Sequence, residues 1–176
     1  MVQIRKGCDG DIDAIVNLHL AGWRDTYSRI MSSDFLHNHA YEELHSQWRS
    51  FFKSKTDNYA VFVAEKEDVV SGFICVKLHH DPDWGTYIDS LHVGSALRGK
   101  GAGKKLLRHA AAWIAARDDK SPVYLWVFED NQRAASFYIN LGGLIVERTE
   151  SAIPSSYNAP VLRVGWKAAS ELLDPF

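Results

Sequence analysis

Residues 87–107, YIDSLHVGSALRGKGAGKKLL, contain the pattern that decides the fold. An apolar run that ends at Val93 is followed by a basic turn that contains Gly99, Gly101 and Gly103. Leucine and alanine then recur at helical spacing from Leu106 onward, so the stretch predicts a strand, a loop and a helix. Glycines at the first helical turn leave backbone N–H groups uncovered, and together with the helix dipole these groups form a site for a phosphate.

The loop does not match either of two common phosphate-binding sequence patterns. A Walker A loop, G-x-x-x-x-G-K-[ST], is matched by Gly94, Gly99 and Lys100, but Gly101 stands where the metal-binding hydroxyl is required. A dinucleotide-binding G-x-G-x-x-G loop that begins at Gly99 requires glycine where the chain has Lys104. The loop therefore departs from the two common nucleotide-binding patterns, and a nucleotide phosphotransferase stays only as a third hypothesis.

A third pattern, [RQ]-x-x-G-x-[GA], is met in full by Arg98, Gly101 and Gly103. The segment resembles the pyrophosphate-binding loop of the GNAT family of N-acetyltransferases, which holds the diphosphate of coenzyme A. The resemblance implies acetyl-CoA as the cofactor and coenzyme A as the product. It implies a first set of cofactor-binding residues on the strand and loop: Leu91, His92, Val93, Arg98, Gly99, Lys100, Gly101, Ala102, Gly103 and Lys104.

Residues 123–146, VYLWVFEDNQRAASFYINLGGLIV, carry a second motif. The stretch is similar to the family's signature N-x-x-A-x-x-F-Y-x-x-x-G, with Gly143 where the family often has phenylalanine. Asn131 suits a helix N-cap, and Gly142 or its successor suits the left-handed residue that ends a helix. The resemblance adds four residues to the cofactor site: Asn131, Ala134, Phe137 and Tyr138.

The order of the expected elements resembles the same family over essentially the whole chain. Strands are expected over residues 2–6, 59–65, 70–78, 87–93 and 161–167, with one more that begins near Val123 and one between the last helix and residue 161. Helices are expected over 9–23 and 33–53, over the apolar repeat from Leu106 to Ile114, and from Asn131 to Leu141. We therefore predict an α/β (α+β) fold of the GNAT-like acyl-CoA N-acyltransferase type. The resemblance implies a central, mixed but mostly antiparallel sheet of about seven strands, flanked by about four helices and splayed between the fourth and fifth strands. We expect residues 1–176 to form a single GNAT acetyltransferase domain, because the length suits one domain and no linker divides the chain.

Composition argues against several other classes of protein. Lys plus Arg number 20 against 22 Asp plus Glu, so the net charge of −2 gives no support for nucleic-acid binding. No apolar run approaches the ~18 residues that would cross a bilayer, so we expect no membrane partner and a cytoplasmic location. Cys8 and Cys75 are expected to be reduced thiols, with no disulfide framework. The adjacent His79 and His80 lack the spacing of metal ligands, so no metal is expected.

The resemblance also implies a mechanism, in which an amine attacks acetyl-CoA directly through a tetrahedral intermediate. A backbone N–H of His92 or Val93 would stabilise the oxyanion. The phenol of Tyr138 would protonate the leaving thiolate. The general base is left open among five side chains: Asp89, His92, His79, His80 and Glu129. The predicted catalytic residues are thus Tyr138, Asp89 and His92.

Two classes of function remain open. The first is an acyltransferase that acetylates a primary amine of a small molecule, a peptide or a protein. The alternative is a non-catalytic sensor or partner module of the same fold that binds acyl-CoA. Residues expected to contact the acceptor are Trp23, Tyr27, Asp89 and Tyr157, and a homodimer is compatible with the sequence.

Overall fold

A computed structural model describes residues 1–54 and 56–173 of the chain. The strands are β1 (Gln3–Lys6), β2 (Tyr59–Lys66), β3 (Val69–Asp81), β4 (Gly85–Val93), β5 (Val123–Phe128), β6 (Leu144–Glu150) and β7 (Pro160–Trp166). The α-helices of the described residues are α1 (Ile12–Tyr27), α2 (Ala40–Lys53), α3 (Ala102–Ala115) and α4 (Gln132–Ile139). One π-helical turn, Phe35–His39, precedes α2, so the helix expected over 33–53 is formed in two pieces. The strands form one seven-stranded sheet in the order β1-β2-β3-β4-β5-β7-β6.

The pairing within the sheet confirms the predicted mixed, mostly antiparallel architecture. Among the described strands only β4 and β5 are parallel neighbours, and α3 forms the crossover that a parallel pair requires. These two strands pair at Thr86↔Val123 and Tyr87↔Tyr124 and then separate. The expected splay is therefore present, and it opens at the carboxyl ends of the two strands.

Helices cover the sheet on both faces. The apolar face of α3, which includes Leu106 and Ala110, packs in one buried cluster with β2–β5. On the other face α1 and α2 pack against Phe73 and its neighbours in a second buried cluster. The rim of the splay is thus bounded by α3 on one face and by α1 on the other.

Strand β4 contains a bulge next to the splay. Cys75 pairs with Ser90, but Val76 pairs with Ile88, so Asp89 is an extra residue in the ladder. Bulges bend a strand and redirect side chains, and they are common beside active sites. Here the bulge lets Asp89 reach Lys77, which projects from the face covered by α2.

The turn after α4 explains the departure from the family's second motif. Gly142 has a φ of 82°, so it is the left-handed residue that ends the helix, as predicted. A Cβ on Gly143 would collide with the side chains of Val164 and Trp166. Glycine is required at position 143 because β7 packs against this turn, which leaves no room for phenylalanine.

Candidate active site

A cleft of about 1040 Å³ opens where β4 and β5 separate. The α3 and α4 side of the cleft carries the predicted cofactor residues: Leu91, Val93, Arg98, Gly99, Gly101, Ala102, Gly103, Lys104, Asn131, Ala134, Phe137 and Tyr138. The opposite wall is formed by α1, α2, the α1-facing side chains of β4, and residues 149–154. The structure therefore brings most residues of the two sequence motifs to one site.

The glycine-rich loop has the backbone conformation that an anion site needs. Gly99 and Gly101 have φ values of 74° and 77°, and Gly101 is the N-cap of α3. The N–H groups of the first helical turn, such as those of Ala102 and Gly103, have no acceptor within the helix. They point out of the end of the helix that carries the positive dipole, where a diphosphate is stabilised. The exposed Lys100 turns its Nζ back to the carbonyl of Ala96, at 2.9 Å.

Arg98 braces this loop. Its Nε donates to the carbonyl of Val93 at 3.0 Å, and its Nη2 contacts Oδ2 of Asp25 at 2.8 Å. The guanidinium thus connects the loop to the end of β4 and to α1. Arg98 holds the glycine-rich loop in place, and its role as a direct phosphate ligand stays a prediction.

One predicted oxyanion donor faces the gap and the other does not. Gly94 donates its N–H to the carbonyl of Ser71 at 2.8 Å, toward β3. Because the N–H groups of successive residues point to opposite edges of a strand, that of Val93 points into the gap and that of His92 points toward β3. The amide of Leu91 has the same direction as that of Val93. The geometry therefore favours Val93 over His92 as the oxyanion donor, and the N–H of Leu91 is a second candidate donor.

Tyr138 is buried at the cleft wall, with 8% of its surface exposed. Its ring packs edge-on against Phe137 at 5.2 Å and against Trp166 at 6.3 Å between centroids. Burial, together with the nearby Tyr27, raises the pKa of the Tyr138 phenol. The hydroxyl therefore stays protonated over the working pH range, as a proton donor must.

Asn131 positions the helix that carries Tyr138. Its Oδ1 accepts a hydrogen bond from the N–H of Ala134 at 3.2 Å, which is an N-cap. Its side chain also hydrogen-bonds to Tyr27, whose phenol pKa is raised mainly by burial. Asn131 thereby connects α4 to α1 across the mouth of the cleft.

Asp89 lies at the cleft with its charge already compensated. Its Oδ2 is 3.2 Å from Nζ of Lys77. Tyr87 is also close, and burial followed by the charge of Asp89 raises the pKa of that phenol. The carboxylate is thus held by a cation and a neighbouring phenol, an arrangement suited to orienting an acceptor.

The side chain of His92 faces α1 and the cleft. Its ring stacks on Phe73 at 5.4 Å and lies 4.6 Å from the ring of His19. Burial and the charge of Arg98 lower the pKa of His92 to about 4. The imidazole is therefore neutral near pH 7.

The three other candidate bases lie outside the cleft in the described structure. Glu129 makes two 2.8 Å hydrogen bonds to Arg148, which lower the pKa of its carboxyl. His79 is 3.3 Å from Asp118, and the ring of His80 stacks on that of Tyr87 at 5.0 Å. Of the five candidates, only Asp89 and His92 are at the site.

The predicted acceptor residues divide in the same way. Trp23 and Tyr27 line the cleft with Asp89. Tyr157 is 72% exposed and does not line the cleft, although the adjoining Pro154 does, so its contact with an acceptor stays a prediction. A second cavity of about 630 Å³ adjoins the cleft on the α2 side and shares five of its residues: His19, Glu43, Gln47, Asp89 and Ser90.

Sequence reasoning missed several side chains of this acceptor-facing wall. Glu43 and Gln47 are four residues apart and share a face of α2, a spacing that the sequence does contain. Trp126 alternates away from the buried face of β5, and the pattern alone could not say which face borders the cleft. No helical pattern could reveal that Gly22 lies against β4.

The described residues contain no group of three or more His, Cys, Asp or Glu side chains placed to hold a metal ion. Among the same residues, no helix is both long and apolar enough to span a membrane. The cleft does fit coenzyme A, because left-handed glycines and uncovered amide donors stand at one end of a groove that runs along β4.

Comparison with known proteins agrees with this geometry. Over 134 residues, 74% of each chain, the sequence is 28% identical to the uncharacterized N-acetyltransferase YuaI of Bacillus subtilis (strain 168). The fold is similar to that of PaiA N-acetyltransferase from Thermoplasma acidophilum in complex with coenzyme A. The TM-score is 0.71 at 19% identity, over 95% of this chain and 99% of the other.

A chimera of the spermidine N-acetyltransferase SpeG from Vibrio cholerae also has a similar fold, with a TM-score of 0.68 at 16% identity over 99% of both chains. The model of the Acetyltransferase (GNAT) family matches residues 14–142, a span that includes the β4–β5 splay, the glycine-rich loop and α4. With its sequence and its sheet both matching, the chain belongs to the GNAT family of acetyltransferases.

Proposed function

We propose that this protein is an acetyl-CoA-dependent N-acetyltransferase that acts on a primary amine of a small molecule, a peptide or a protein. One observation carries the proposal: the gap between β4 and β5 has the glycine-rich N-terminal end of α3 on one side and a cavity of about 630 Å³ on the other. The name of the relative YuaI and the coenzyme A complex of the PaiA neighbour support the same activity.

Coenzyme A would lie on the α3 side of the gap. Residues 99–104 would hold its diphosphate through backbone N–H groups, with Arg98 bracing the loop. Leu91 and Val93 would contact the thioester end of acetyl-CoA through their backbone N–H groups, which face the gap where β4 separates from β5. When bound, acetyl-CoA supplies the activated acetyl group.

Three residues of the chain would act in the transfer of this acetyl group. The N–H of Val93 donates to the carbonyl oxygen as negative charge develops there. Tyr138, which is held protonated, donates its proton to the departing sulfur. Asp89, paired with Lys77, orients the incoming amine.

The acceptor side suits a cationic amine with an apolar body. Its wall presents the aromatic rings of Trp23, Tyr27 and Trp126 and the carboxylates of Glu43 and Asp89. Aromatic faces and carboxylates both attract an ammonium group. An acceptor could therefore bind as the cation and react as the free amine.

A paired measurement tests this function. Coenzyme A should raise the Tm, since a ligand at a hundred times its Kd adds about 2.7 kcal/mol to the free energy of unfolding. Thiol release from acetyl-CoA should then depend on an added amine. Stabilisation by coenzyme A without amine-dependent release would favour the alternative, a non-catalytic acyl-CoA-binding module, and stabilisation by ATP with magnesium instead would favour the phosphotransferase.

We also propose that residues 1–176 act as one domain in the cytoplasm, without a nucleic-acid or membrane partner. The continuous sheet and the net charge of −2 support this part of the proposal. Gel filtration would test whether the protein is a monomer or a homodimer.

A further inference from the structure

Gly22 lies in the interior of α1 and is buried there. Glycine is among the residues least favoured within a helix, so its presence in the middle of α1 needs a reason. A Cβ at this position would collide with the imidazole of His92, and the three nearest atoms are all from that ring. Because Gly22 has no side chain, helix α1 leaves room at this position for the ring of His92.

The ring of His92 is confined on its other sides as well. Phe73 of β3 stacks on it with an interplanar angle of 24°, and His19 of α1 lies 4.6 Å away between ring centroids. His19 is itself fixed, because its Nδ1 accepts a hydrogen bond from Nε1 of Trp48 at 3.2 Å. Neutral His19 must then carry its proton on Nε2. Burial lowers the pKa of His19 well below its ordinary value, so no positive charge competes with His92 there.

The nitrogen atoms of His92 have no hydrogen-bond partner among the described residues. As a whole residue His92 is half-buried, and it lines the cleft next to Val93, whose N–H points into the gap. Asp89, the other candidate base at the site, is ion-paired with Lys77. The Nδ1 side of the ring lies against Gly22 of α1, so a neutral imidazole that is held rigidly and has an unpartnered Nε2 is the available proton acceptor.

We propose that His92 takes the proton of the attacking amine, and that Gly22 and His19 are positioning residues that hold its ring at the cleft. The inference rests on the proposed acetyl transfer and assigns its base. Charged or titratable groups near His92 are Asp89 on the same strand, Arg98 on the loop and His19 on α1.

The proton transfer balances with the rest of the reaction. The lone pair of the amine nitrogen forms a bond to the acetyl carbon, and the nitrogen becomes positively charged. One ring nitrogen of His92 takes a proton from it, which leaves a neutral amide as the product. The carbon–sulfur bond breaks, the sulfur keeps the electron pair and Tyr138 protonates it, after which solvent carries the proton of His92 back to Tyr138.

Chemical rescue tests the role of His92 as a base. His92→Ala should lower kcat by about 100-fold or more, in the range of general-base contributions. Imidazole added to the buffer should raise the kcat of His92→Ala at least tenfold, because the truncated side chain leaves a space of the same shape as the imidazole ring. His92→Gln keeps most of the volume but cannot take the proton, so it should stay slow. Full activity in His92→Gln, or no rescue of His92→Ala, would overturn the assignment.

A double-mutant cycle tests the positioning by Gly22. Gly22→Ala should lower kcat about 10- to 100-fold with the KM for acetyl-CoA unchanged, because the new methyl group displaces the ring. In the His92→Ala background the same change should have no effect on kcat, since no ring is left to displace. Equal losses in both backgrounds would contradict positioning. The control is Gly10→Ala, whose Cβ would meet only Cys8 Sγ at 3.8 Å and should leave kcat unchanged.

A measurement without turnover separates this inference from the proposed function. The nitrogen-15 chemical shifts of the His92 ring should report a neutral imidazole at pH 7 and should move in Gly22→Ala but not in Gly10→Ala. Ring signals that do not move would overturn the positioning role even if no acceptor is acetylated. Coenzyme A binding without any acetyl transfer would instead count against the proposed function.

Discussion

Tyr138 offers the simplest test at the scale of a single residue, because its hydroxyl can be removed with little change in packing. The Tyr138→Phe variant keeps the ring contacts with Phe137 and Trp166. We expect kcat to fall about 100- to 10,000-fold, or 10- to 100-fold if water substitutes for the phenol. Steady-state kinetics would measure this loss, and a Kd for coenzyme A that stays unchanged is the control. Full activity would make Tyr138 a packing residue only.

The lowered pKa values of His19 and His92 predict an acid-sensitive fold. A histidine with a folded pKa near 4 and an unfolded pKa near 6.5 binds fewer protons when folded, so stability is present above pH 6.5 and is lost as the pH falls toward 4. For His92 alone the loss between pH 7 and pH 5 is about 2 kcal/mol. His19 contributes in the same direction because burial lowers its pKa as well.

Urea unfolding at pH 7 and pH 5 measures this loss directly. In His92→Gln the difference between the two pH values should shrink by about 2 kcal/mol, since glutamine does not titrate. A pH dependence identical to that of the unsubstituted protein would mean that His92 does not stay neutral in the folded state.

At the scale of elements, the two glycines at the start of α3 should respond differently to substitution. Gly101 has a φ of 77°, so Gly101→Ala should lower the stability of the free protein by about 1–2 kcal/mol. Gly103 has an ordinary φ, and a Cβ there would lie 3.5 Å from Phe137 and 3.6 Å from Val93, which is normal contact. Gly103→Ala should therefore leave the free protein at least as stable.

Larger side chains at position 103 test whether the backbone N–H groups at the start of α3 hold the diphosphate. Gly103→Val should reduce the rise in Tm caused by coenzyme A, because its branched side chain covers the amides that would hold the diphosphate. Gly103→Ala is the matched control and should keep the rise. If coenzyme A raised the Tm of both variants equally, the diphosphate would not bind at this helix end.

The elements that the sequence predicts well are those whose signals are local. Strand, glycine loop and helix follow one another within 87–107. Helix α4 begins at the N-cap Asn131 and ends before the left-handed Gly142, as predicted. The bulge at Asp89 was not predicted, because it depends on the register between β3 and β4. An apolar alternation in one strand carries no information about how its neighbour is paired.

At the scale of the whole molecule, both sides of the site depend on contacts that local sequence patterns do not show. Arg98 bonds to Asp25, Asp89 pairs with Lys77, and Gly22 accommodates His92. Arg98 and Asp25 are far apart in sequence, as are Gly22 and His92, and the contact of Asp89 with Lys77 depends on the bulge in β4, so neither partner reveals the other by spacing. The grouping of the α3 and α4 residues along the cleft was predictable because they fall within two continuous motifs, whereas the opposite wall is assembled only when α1 and α2 pack on the sheet.

The most direct test of the central claim is amine-dependent release of thiol from acetyl-CoA, with the acetylated product identified by mass spectrometry. Amino acids, polyamines, aminoglycosides and peptides with free N-termini provide the panel of acceptors. We predict thiol release that requires both the protein and one class of amine, matched by equal amounts of N-acetylated product. Tight coenzyme A binding with no amine-dependent release across the whole panel would contradict the account.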